Sequence, residues 1–415
     1  MSKPLDTDPL GSSASLRLMI VVGEASADRY AARVLEALRA RSLDVEAFGV
    51  GGEELRRQGL DGHADARELE LVGFSAVLTA LPRLFRLYRR LTALLRERRP
   101  DVLLCVDLPD FNSRLARRAR ALGIPVLFYV APQVWAWRSG RVRSWRGLAS
   151  QLVVTLPFEV SLWQRAGVPV AFHGHPLLEE ASTADPGRDA TLARLGLDPA
   201  RRTLVLAPGS RPSEWRHHAE VLFAAAARIC SELPELQLAL PLAPSLQEEP
   251  VRRVARRVGI QLTCTRAPHR LLLQHADLGL LCSGTLTLEA ALAGLPMVVF
   301  YRTGWVDARI ARRLIQVDRI ALPNLLLGGA EPVFPELLQR NLSAPRLADE
   351  ALRLLHDDAE RARLRNAGLQ LRAELGSGSP SHGVADAILA LAKPAREPSG
   401  TAKARQDEPR GSASR

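Results

Sequence analysis

The chain has 415 residues, more than one hydrophobic core usually supports, so its length predicts two domains. Hydrophobic residues make up 47% and charged residues 24% of the chain, which is ordinary for a folded protein and excludes a disordered one. The net charge is +11 and is carried almost wholly by arginine, since Lys3, Lys393 and Lys403 are the only lysines. A field of this sign favours anionic partners.

The chain contains no apolar stretch of the roughly 18 residues that a membrane span requires, and its polar N-terminus lacks the apolar region of a signal peptide. We therefore expect a cytosolic protein. Its four cysteines are scattered without a C-x-x-C pair, which predicts reduced core residues at Cys105, Cys230, Cys264 and Cys282.

Short apolar runs alternate with helical patterns through most of the chain and indicate buried parallel strands. In the first half these runs are Leu18–Val22, Val45–Val50, Val102–Val106, Val126–Val130 and Leu152–Thr155. A second series comprises Thr203–Ala207, Leu236–Leu240, Ile260–Cys264, Leu278–Leu281 and Met297–Tyr301. The fold class predicted is therefore α/β, with two doubly wound domains facing each other across a ligand cleft.

The polar stretch Glu179–Arg188, which contains Pro and Gly, is the best candidate for a linker between the two series. We expect an N-terminal domain over 16–178, a linker over 179–190, a C-terminal domain over 191–345 and further helices over 346–394. The end segments 1–15 and 395–415 are expected to be disordered, because they have too little apolar surface to offset their ordering entropy.

Two motifs follow strands of the first half. Gly23-Glu24-Ala25-Ser26 precedes a helix whose N-terminus offers a seat for an anion or a hydroxyl-rich ligand, although a plain strand-to-helix turn explains the spacing as well. Asp107 ends the strand Val102–Val106 and could accept a proton from an acceptor hydroxyl. Asp110 or Asn112 is expected to cap the helix that follows.

Two further features of the first half concern apolar or lipid ligands. Trp135, Trp137 and Arg138 lie beyond a strand, where they stack on a sugar or acyl chain or else pack at the core edge. An amphipathic, strongly basic helical pattern contains the candidate membrane residues Val77, Leu78, Leu81, Arg83, Leu84 and Phe85. This helix either packs on its own domain or docks on an anionic bilayer, and a protruding leading turn satisfies both alternatives.

The second half repeats an anion-binding arrangement at two strand ends. Pro208-Gly209-Ser210-Arg211 combines a glycine that lets backbone N–H groups approach phosphate with a guanidinium, although an ordinary turn remains the alternative. Ser283-Gly284-Thr285 opens a helix that carries Glu289, which could reach ribose hydroxyls. A helix cap explains one such hydroxyl group but not the recurrence, so the pattern favours nucleotide binding.

His173 and His175 flank Gly174 at a strand end, but no set of carboxylates or cysteines with metal-ligand spacing accompanies them. A structural or interdomain role is therefore expected for these two histidines. Nothing in the sequence requires a metal or another cofactor.

Nine short motifs occur in one order over both halves: GEAS, DLPDFN, APQVWAWR, LPFE, GHP, APGSR, SGT with a following Glu, PMVVFYR and LPNLL. In this order they resemble the lipid-A-disaccharide synthases, from about Leu16 to Leu391. The resemblance implies an inverting transferase with two Rossmann-like domains of the GT-B type. It would move 2,3-diacylglucosamine from UDP onto 2,3-diacylglucosamine 1-phosphate, forming the β-1,6-linked lipid A disaccharide and UDP.

The resemblance also implies roles for individual residues. Asp107 matches the family's essential aspartate and becomes the candidate general base, with Glu24 as a second carboxylate, while Arg211 would stabilise charge on the UDP leaving group. The substrate-binding residues expected in the motifs are Gly23, Ser26, Asn112, Trp135, Trp137, Arg138, Ser210, Ser283, Gly284, Thr285, Glu289, Arg302 and Asn324. Ala27 departs from the family's glycine, which would strain the loop if that position needs positive φ.

The same resemblance implies peripheral attachment to anionic lipids at the cytosolic face of the inner membrane, with no nucleic acid as partner. One alternative is another UDP-sugar transferase or a UDP-sugar 2-epimerase of the same fold. A basic nucleic-acid-binding protein is a second alternative, but no binding module is recognisable. A dehydrogenase is disfavoured because GEASAD lacks the G-x-G-x-x-G spacing.

Overall fold

The computed structural model describes residues 15–41, 43–69, 74–132, 134–137, 139–182, 185–243, 246–266, 269–304, 319–376 and 378–392. The two expected tails therefore lie outside the described residues, apart from Ser15.

The first half forms a parallel sheet in the strand order β3-β2-β1-β4-β5-β6-β7 within the described residues. The strands are β1 (Leu16–Val22), β2 (Val45–Gly51), β3 (Asp61–Asp65), β4 (Val102–Val106), β5 (Val126–Tyr129), β6 (Gln151–Val154) and β7 (Val170–Phe172). The helices between them are α1 (Ala25–Arg39), α2 (Glu53–Arg57), α3 (Phe74–Arg98), α4 (Pro109–Ala121), α5 (Val134–Trp137) and α6 (Glu159–Arg165). The central strands are buried along their length, as expected for strands with helices on both faces.

The second half forms another parallel sheet, in the order β10-β9-β8-β11-β12-β13 over its described residues. Its strands are β8 (Thr203–Ala207), β9 (Gln237–Pro241), β10 (Thr263–Thr265), β11 (Leu278–Cys282), β12 (Met297–Tyr301) and β13 (Glu336–Leu338). The helices are α7 (Arg188–Arg194), α8 (Pro212–Glu232), α9 (Glu248–Arg257), α10 (His269–His275), α11 (Thr285–Leu292), α12 (Leu322–Leu327), α13 (Ala344–His356), α14 (Asp358–Glu374) and α15 (Pro380–Ala392).

Both strand orders reverse direction once, between β1 and β4 in the first sheet and between β8 and β11 in the second. Ligands of doubly wound sheets bind outside the carboxyl ends of the strands at such a switch point. The segments that leave these four strands are the ones that carry Glu24, Asp107, Arg211 and Ser283. The topology therefore places the sequence motifs at the two switch points.

The predicted α/β class is confirmed, and each of the ten predicted apolar runs overlaps an observed strand. The least accurate boundary was Ile260–Cys264, because the strand is Thr263–Thr265. The sequence prediction did not include β3, β7 and β13, which lie at sheet edges. These edge strands are short and only partly buried, so they lack the continuous apolar run that identified the others.

Helix α15, the last helix of the described residues, returns to the first sheet and packs on α1. Arg41 Nη1 lies 2.5 Å from Asp386 Oδ1, and Ser381 donates to Glu179 Oε1 at 2.8 Å. His175 N–H donates to the Leu375 carbonyl at 3.0 Å near this crossing. Burial lowers the pKa of His175 to about 4, so this imidazole is neutral. The expected structural or interdomain role of His175 agrees with its burial but stays a prediction.

Candidate active site at the two switch points

The β1 and β4 turns are in direct contact at Gly23. A Cβ at this position would lie 1.7 Å from Leu108 Cδ1, so only glycine fits without moving the Leu108 side chain. Glu24 follows in extended conformation and precedes α1. Ala27 is buried within α1 and is not among the residues with positive φ, so the expected strain at this departure from the family pattern does not arise.

Asp107 and the next residue adopt left-handed backbone conformations, with φ of 59° at Asp107 and 48° at Leu108. Such conformations cost about 1–3 kcal/mol each in non-glycine residues and persist where surrounding bonds enforce them. Here Asp107 N–H donates to Tyr129 O at 3.1 Å, and Asn112 Nδ2 donates to Asp107 O at 2.7 Å. The turn therefore holds the Asp107 carboxylate at the end of β4.

The expected cap of α4 was wrong. The residue that precedes α4 is Leu108, and Pro109 occupies the first helical turn, so Asp110 lies inside the helix. Asn112 is fully buried and reaches back to the Asp107 carbonyl instead of capping a free N–H group. Its expected contact with substrate stays a prediction, while its observed contact supports the turn.

Arg211 reaches from the second sheet to the first. Its Nη2 lies 2.7 Å from Glu24 Oε1, and its Nη1 lies 3.4 Å from Glu214 Oε1 in the first turn of α8. Gly209 precedes it at φ +113°, and a Cβ there would lie 2.4 Å from Glu214 Oε2. The glycine therefore allows the close turn that sets the position of Arg211.

Electrostatics couple Asp107 to this pair. Burial and the Glu24 carboxylate raise the pKa of Asp107 from 3.8 to about 6, although the Leu108 N–H and Arg211 partly oppose them. Burial tends to lower the pKa of Arg211, but Glu24 and Glu214 outweigh it and hold this pKa above its ordinary value. The carboxylates of Glu24, Asp107 and Glu214 thus converge on the lasting positive charge of Arg211.

A second ion pair crosses between the sheets at Glu289 in α11. Its Oε2 lies 2.5 Å from His269 Nε2, and its Oε1 lies 3.4 Å from Arg29 Nη2 in α1. Burial tends to raise the pKa of Glu289, but His269 and Arg29 outweigh it and lower this pKa. The two crossing pairs have opposite polarity, because each sheet supplies one arginine and one glutamate.

Arg29 and His269 were missed by the sequence reasoning. Arg29 lies directly after the GEASAD segment, so its place one turn into α1 was a usable signal. His269 belongs to none of the motifs, and only the folded structure brings it to Glu289.

The other residues of the second half that were expected to bind the donor differ in their exposure and in their hydrogen bonds. Ser210 and Gly284 are exposed, and Thr285 begins α11. Ser283 Oγ donates to Ile320 O at 3.0 Å, and the Arg302 guanidinium donates to the Leu342 carbonyl.

Asn324 is fully buried and its amide is satisfied inside the protein. Its Nδ2 donates to Phe334 O at 2.8 Å and to Glu336 Oε1 at 2.7 Å, while its Oδ1 accepts from Phe334 N–H at 2.8 Å. A direct substrate contact would require Asn324 to exchange these bonds, so that expectation stays a prediction.

Trp135 is partly buried, and its indole N–H donates to Glu159 Oε1 at 3.0 Å. Its ring also meets Phe158 edge to face, with centroids 5.3 Å apart. Burial raises the pKa of Glu159 to about 7, against the bonds from Trp135 and from backbone N–H groups. These contacts favour packing at the core edge for Trp135. The side chains of Trp137 and Arg138 lie outside the described residues.

The candidate membrane surface lies at the leading end of α3. Leu81 is 46% and Phe85 61% exposed, whereas Leu84 is partly buried and Leu87 is buried. Arg83 is exposed and donates to the Glu68 carbonyl. The side chains of Val77 and Leu78 are outside the described set.

No helix in the described part of the chain is long and apolar enough to cross a membrane. Over the same residues, no cluster of three His, Cys, Asp or Glu side chains could hold a metal ion.

Two doubly wound sheets whose switch-point loops meet have the arrangement of the GT-B fold. Solved structures of this fold align over nearly the whole chain. The UDP-GlcNAc 2-epimerase from Neisseria meningitidis, bound to UDP-GlcNAc, aligns with a TM-score of 0.63 over 90% of this chain and 100% of that chain, at 13% identity. MurG from Acinetobacter baumannii aligns with a TM-score of 0.53 over 90% and 99%, at 15% identity. At such identities the likeness shows the fold alone.

The family model described as Lipid-A-disaccharide synthetase matches residues 18–382. The lipid-A-disaccharide synthase of Geobacter sulfurreducens is 40% identical over 382 residues, covering 91% of this chain and 98% of its own length. That of Nitrosococcus oceani is 40% identical over 362 residues, covering 87% and 92%. The chain belongs to the lipid-A-disaccharide synthase family.

Family membership determines the activity. The protein is a UDP-sugar-dependent glycosyltransferase that forms the lipid A disaccharide. The epimerase alternative is not favoured, since the epimerases share only the fold, and the nucleic-acid alternative is not favoured either.

Proposed function

We propose that the cleft joins UDP-2,3-diacylglucosamine to the 6-hydroxyl of 2,3-diacylglucosamine 1-phosphate with inversion, giving the β-1,6-linked disaccharide 1-phosphate and UDP. The observation that carries this proposal is the meeting of Glu24, Asp107 and Arg211 from three switch-point loops. One group can remove a proton while another stabilises the anionic leaving group.

Asp107 acts as the general base. As the acceptor oxygen bonds to the anomeric carbon of the donor, its proton passes to Asp107, and the bond from that carbon to UDP breaks with both electrons leaving on UDP. A pKa of about 6 supports this role, because the carboxylate is ionised at neutral pH yet more basic than an ordinary aspartate. The enforced turn at Asp107 and Leu108 keeps the carboxylate in place.

Arg211 stabilises the diphosphate as negative charge develops on it. A guanidinium presents fixed donors in a plane, which suits this task better than a flexible ammonium. Before the donor binds, Glu24 neutralises and orients Arg211 at 2.7 Å. When the donor binds, its diphosphate replaces Glu24 as the partner of Arg211, which leaves Glu24 facing Asp107.

The remaining donor contacts come from the second switch point. The N-terminus of α11, with Ser283, Gly284 and Thr285, offers N–H groups and hydroxyls to phosphate. Glu289 accepts from ribose hydroxyls in place of Arg29, since a 3.4 Å pair with a partly exposed arginine is easily exchanged.

The protein binds peripherally to the cytosolic face of the inner membrane through the leading end of α3. Exposed Leu81 and Phe85 would enter the interface, and Arg83 and neighbouring arginines would meet anionic headgroups. This placement would bring both lipid substrates to the cleft between the sheets without a spanning helix.

The test measures UDP binding by calorimetry and disaccharide formation by thin-layer chromatography with labelled acceptor. Asp107→Asn should lose turnover by about a thousandfold or more while binding UDP nearly normally, and Arg211→Ala should weaken both. Arg216→Ala is the matched control, because Arg216 is exposed in α8, the helix that begins directly after Arg211. Full activity in either of the first two variants would remove that residue from the mechanism.

A further inference from the structure

We infer that His218 is a positioning residue that ties together the two donor-binding loops at the ends of β8 and β12. The inference rests on the proposed donor site, since it concerns the loops that carry Arg211 and Arg302. His218 lies in α8 and was not singled out by any sequence motif.

The imidazole links the ends of two strands that are not paired with each other in the sheet. In the second sheet β11 lies between β8 and β12, so no strand pairing joins the ends of these two strands. His218 Nδ1 lies 2.8 Å from the Pro208 carbonyl at the end of β8. Its Nε2 lies 2.9 Å from both the N–H and the carbonyl of Arg302, directly after β12.

The hydrogen-bond partners of the ring indicate which tautomer His218 adopts. Pro208 O can only accept, so Nδ1 carries a hydrogen and donates to it. Burial lowers the pKa of His218, against its two backbone contacts and Glu214, so the ring is neutral and Nε2 is an acceptor. Nε2 therefore accepts the Arg302 N–H. One neutral imidazole thereby satisfies one carbonyl and one N–H from two separate loops.

The site is built tightly around the ring. His218 is 0% exposed, and its ring lies 5.4 Å from the centroids of both Phe300 and Tyr301. A phenyl ring would preserve much of this packing but leave the Pro208 carbonyl and the Arg302 N–H without their partner. Buried polar groups that lose a partner move toward water or a new partner, and these two groups adjoin the segments that carry the donor contacts.

The consequence concerns donor affinity more than fold. Pro208 is followed by Gly209, Ser210 and Arg211, so a displaced carbonyl changes where the guanidinium points. A displaced Arg302 N–H would likewise shift the Arg302 side chain. Loss of the imidazole should therefore weaken both loops' hold on the diphosphate or uridine at once.

The experiment compares His218→Phe, His218→Asn and His218→Gln in the full-length protein, with Leu222→Ala as control. Asn places an amide near the Nδ1 position and can keep the Pro208 bond, whereas Gln places one near Nε2 and can keep the Arg302 bond. Leu222 is fully buried one turn further along α8 and touches neither loop through a polar group. The readouts are the Kd for UDP, KM and kcat for the donor, and the midpoint of thermal unfolding.

We expect His218→Phe to raise the Kd for UDP about tenfold or more, the effect of losing a buried hydrogen bond, and to raise the donor KM in parallel. Asn and Gln should each recover part of this affinity. Leu222→Ala should lower the unfolding midpoint while leaving the Kd within about twofold of the wild type.

Three results would overturn the inference in distinguishable ways. If His218→Phe leaves the Kd for UDP unchanged while Arg211→Ala raises it, the donor site stands and His218 is merely a packing residue. If neither variant changes it, the donor site lies elsewhere and the positioning role falls with it. A Kd that tracks the unfolding midpoint through all four variants would also reduce His218 to a structural role.

Discussion

Replacing Asp107 by asparagine should stabilise the protein while removing its activity. The carboxyl pKa rises from 3.8 to about 6 on folding, so the unfolded chain binds fewer protons than the native state between these values. Ionised Asp107 therefore costs stability, a cost that is absent below about pH 3 and fully present above about pH 7. Asparagine has nearly the same shape and never ionises.

The magnitude follows from the two pKa values. Linkage gives a cost of about 3 kcal/mol at pH 8 and about half of that at pH 5. In a cooperative unit of 150–250 residues, a change of 1 kcal/mol shifts the unfolding midpoint by about 3 °C. These costs therefore correspond to about 9 °C at pH 8 and about 5 °C at pH 5. The unfolding midpoint of Asp107→Asn should exceed that of the wild type by these amounts.

The assay is thermal unfolding by circular dichroism at pH 5 and pH 8, with Asp110→Asn as the matched control. Asp110 is exposed in the first turn of α4, where an acidic side chain favours the helix N-terminus, so its replacement should give no gain in stability at either pH. A gain that is equal at both pH values, or no gain at pH 8, would refute the claim that folding raises the pKa of Asp107.

Three further predictions address the neighbours of Asp107 and the membrane surface. Glu24→Gln removes a like charge beside Asp107 that is worth on the order of 1 kcal/mol. The apparent pKa of the acid limb of kcat/KM should therefore fall by somewhat under about one unit. An apparent pKa that rises or stays the same would contradict the coupling. Gly23→Ala should lower kcat at least about tenfold, because the added methyl group displaces the Leu108 side chain. Adding Leu108→Ala to this variant should restore part of the lost kcat. No recovery would show that the clash with Leu108 is not the cause. Phe85→Ser should weaken sedimentation with anionic vesicles, while Leu369→Ser, an exposed control in α14, should not; equal effects would argue against docking through α3.

Hydrophobic runs were sufficient to predict the interior of both sheets. Parallel strands buried on both faces need apolar residues at every position, so Val102–Val106 and Thr203–Ala207 were predicted with their observed bounds. Edge strands obey no such rule. Asp61–Asp65 contains two aspartates and a histidine and pairs with β2 on one side only, which is why it could not be distinguished from a loop.

The site was predictable in its motifs but not in its pairings. Because parallel strands share one carboxyl edge, motifs that follow separate strands were expected to converge. Which side chains would meet was not in the pattern, since Arg29 and Glu289 are 260 positions apart and Glu24 and Arg211 are 187. The αL turn at Asp107 was also hidden, because neither Asp107 nor Leu108 is a glycine.

The most direct test of Asp107 as the base is the pH dependence of the rate of disaccharide formation at donor concentrations well below KM, because this rate follows kcat/KM and reports ionisation of the enzyme before the donor binds. A base whose pKa is about 6 predicts a rate that falls tenfold per pH unit below about pH 6 and levels off above about pH 7. Asp107→Asn should show no such limb in its residual rate. A wild-type rate that stays constant from pH 5 to pH 8, with the acceptor saturating throughout, would contradict the account.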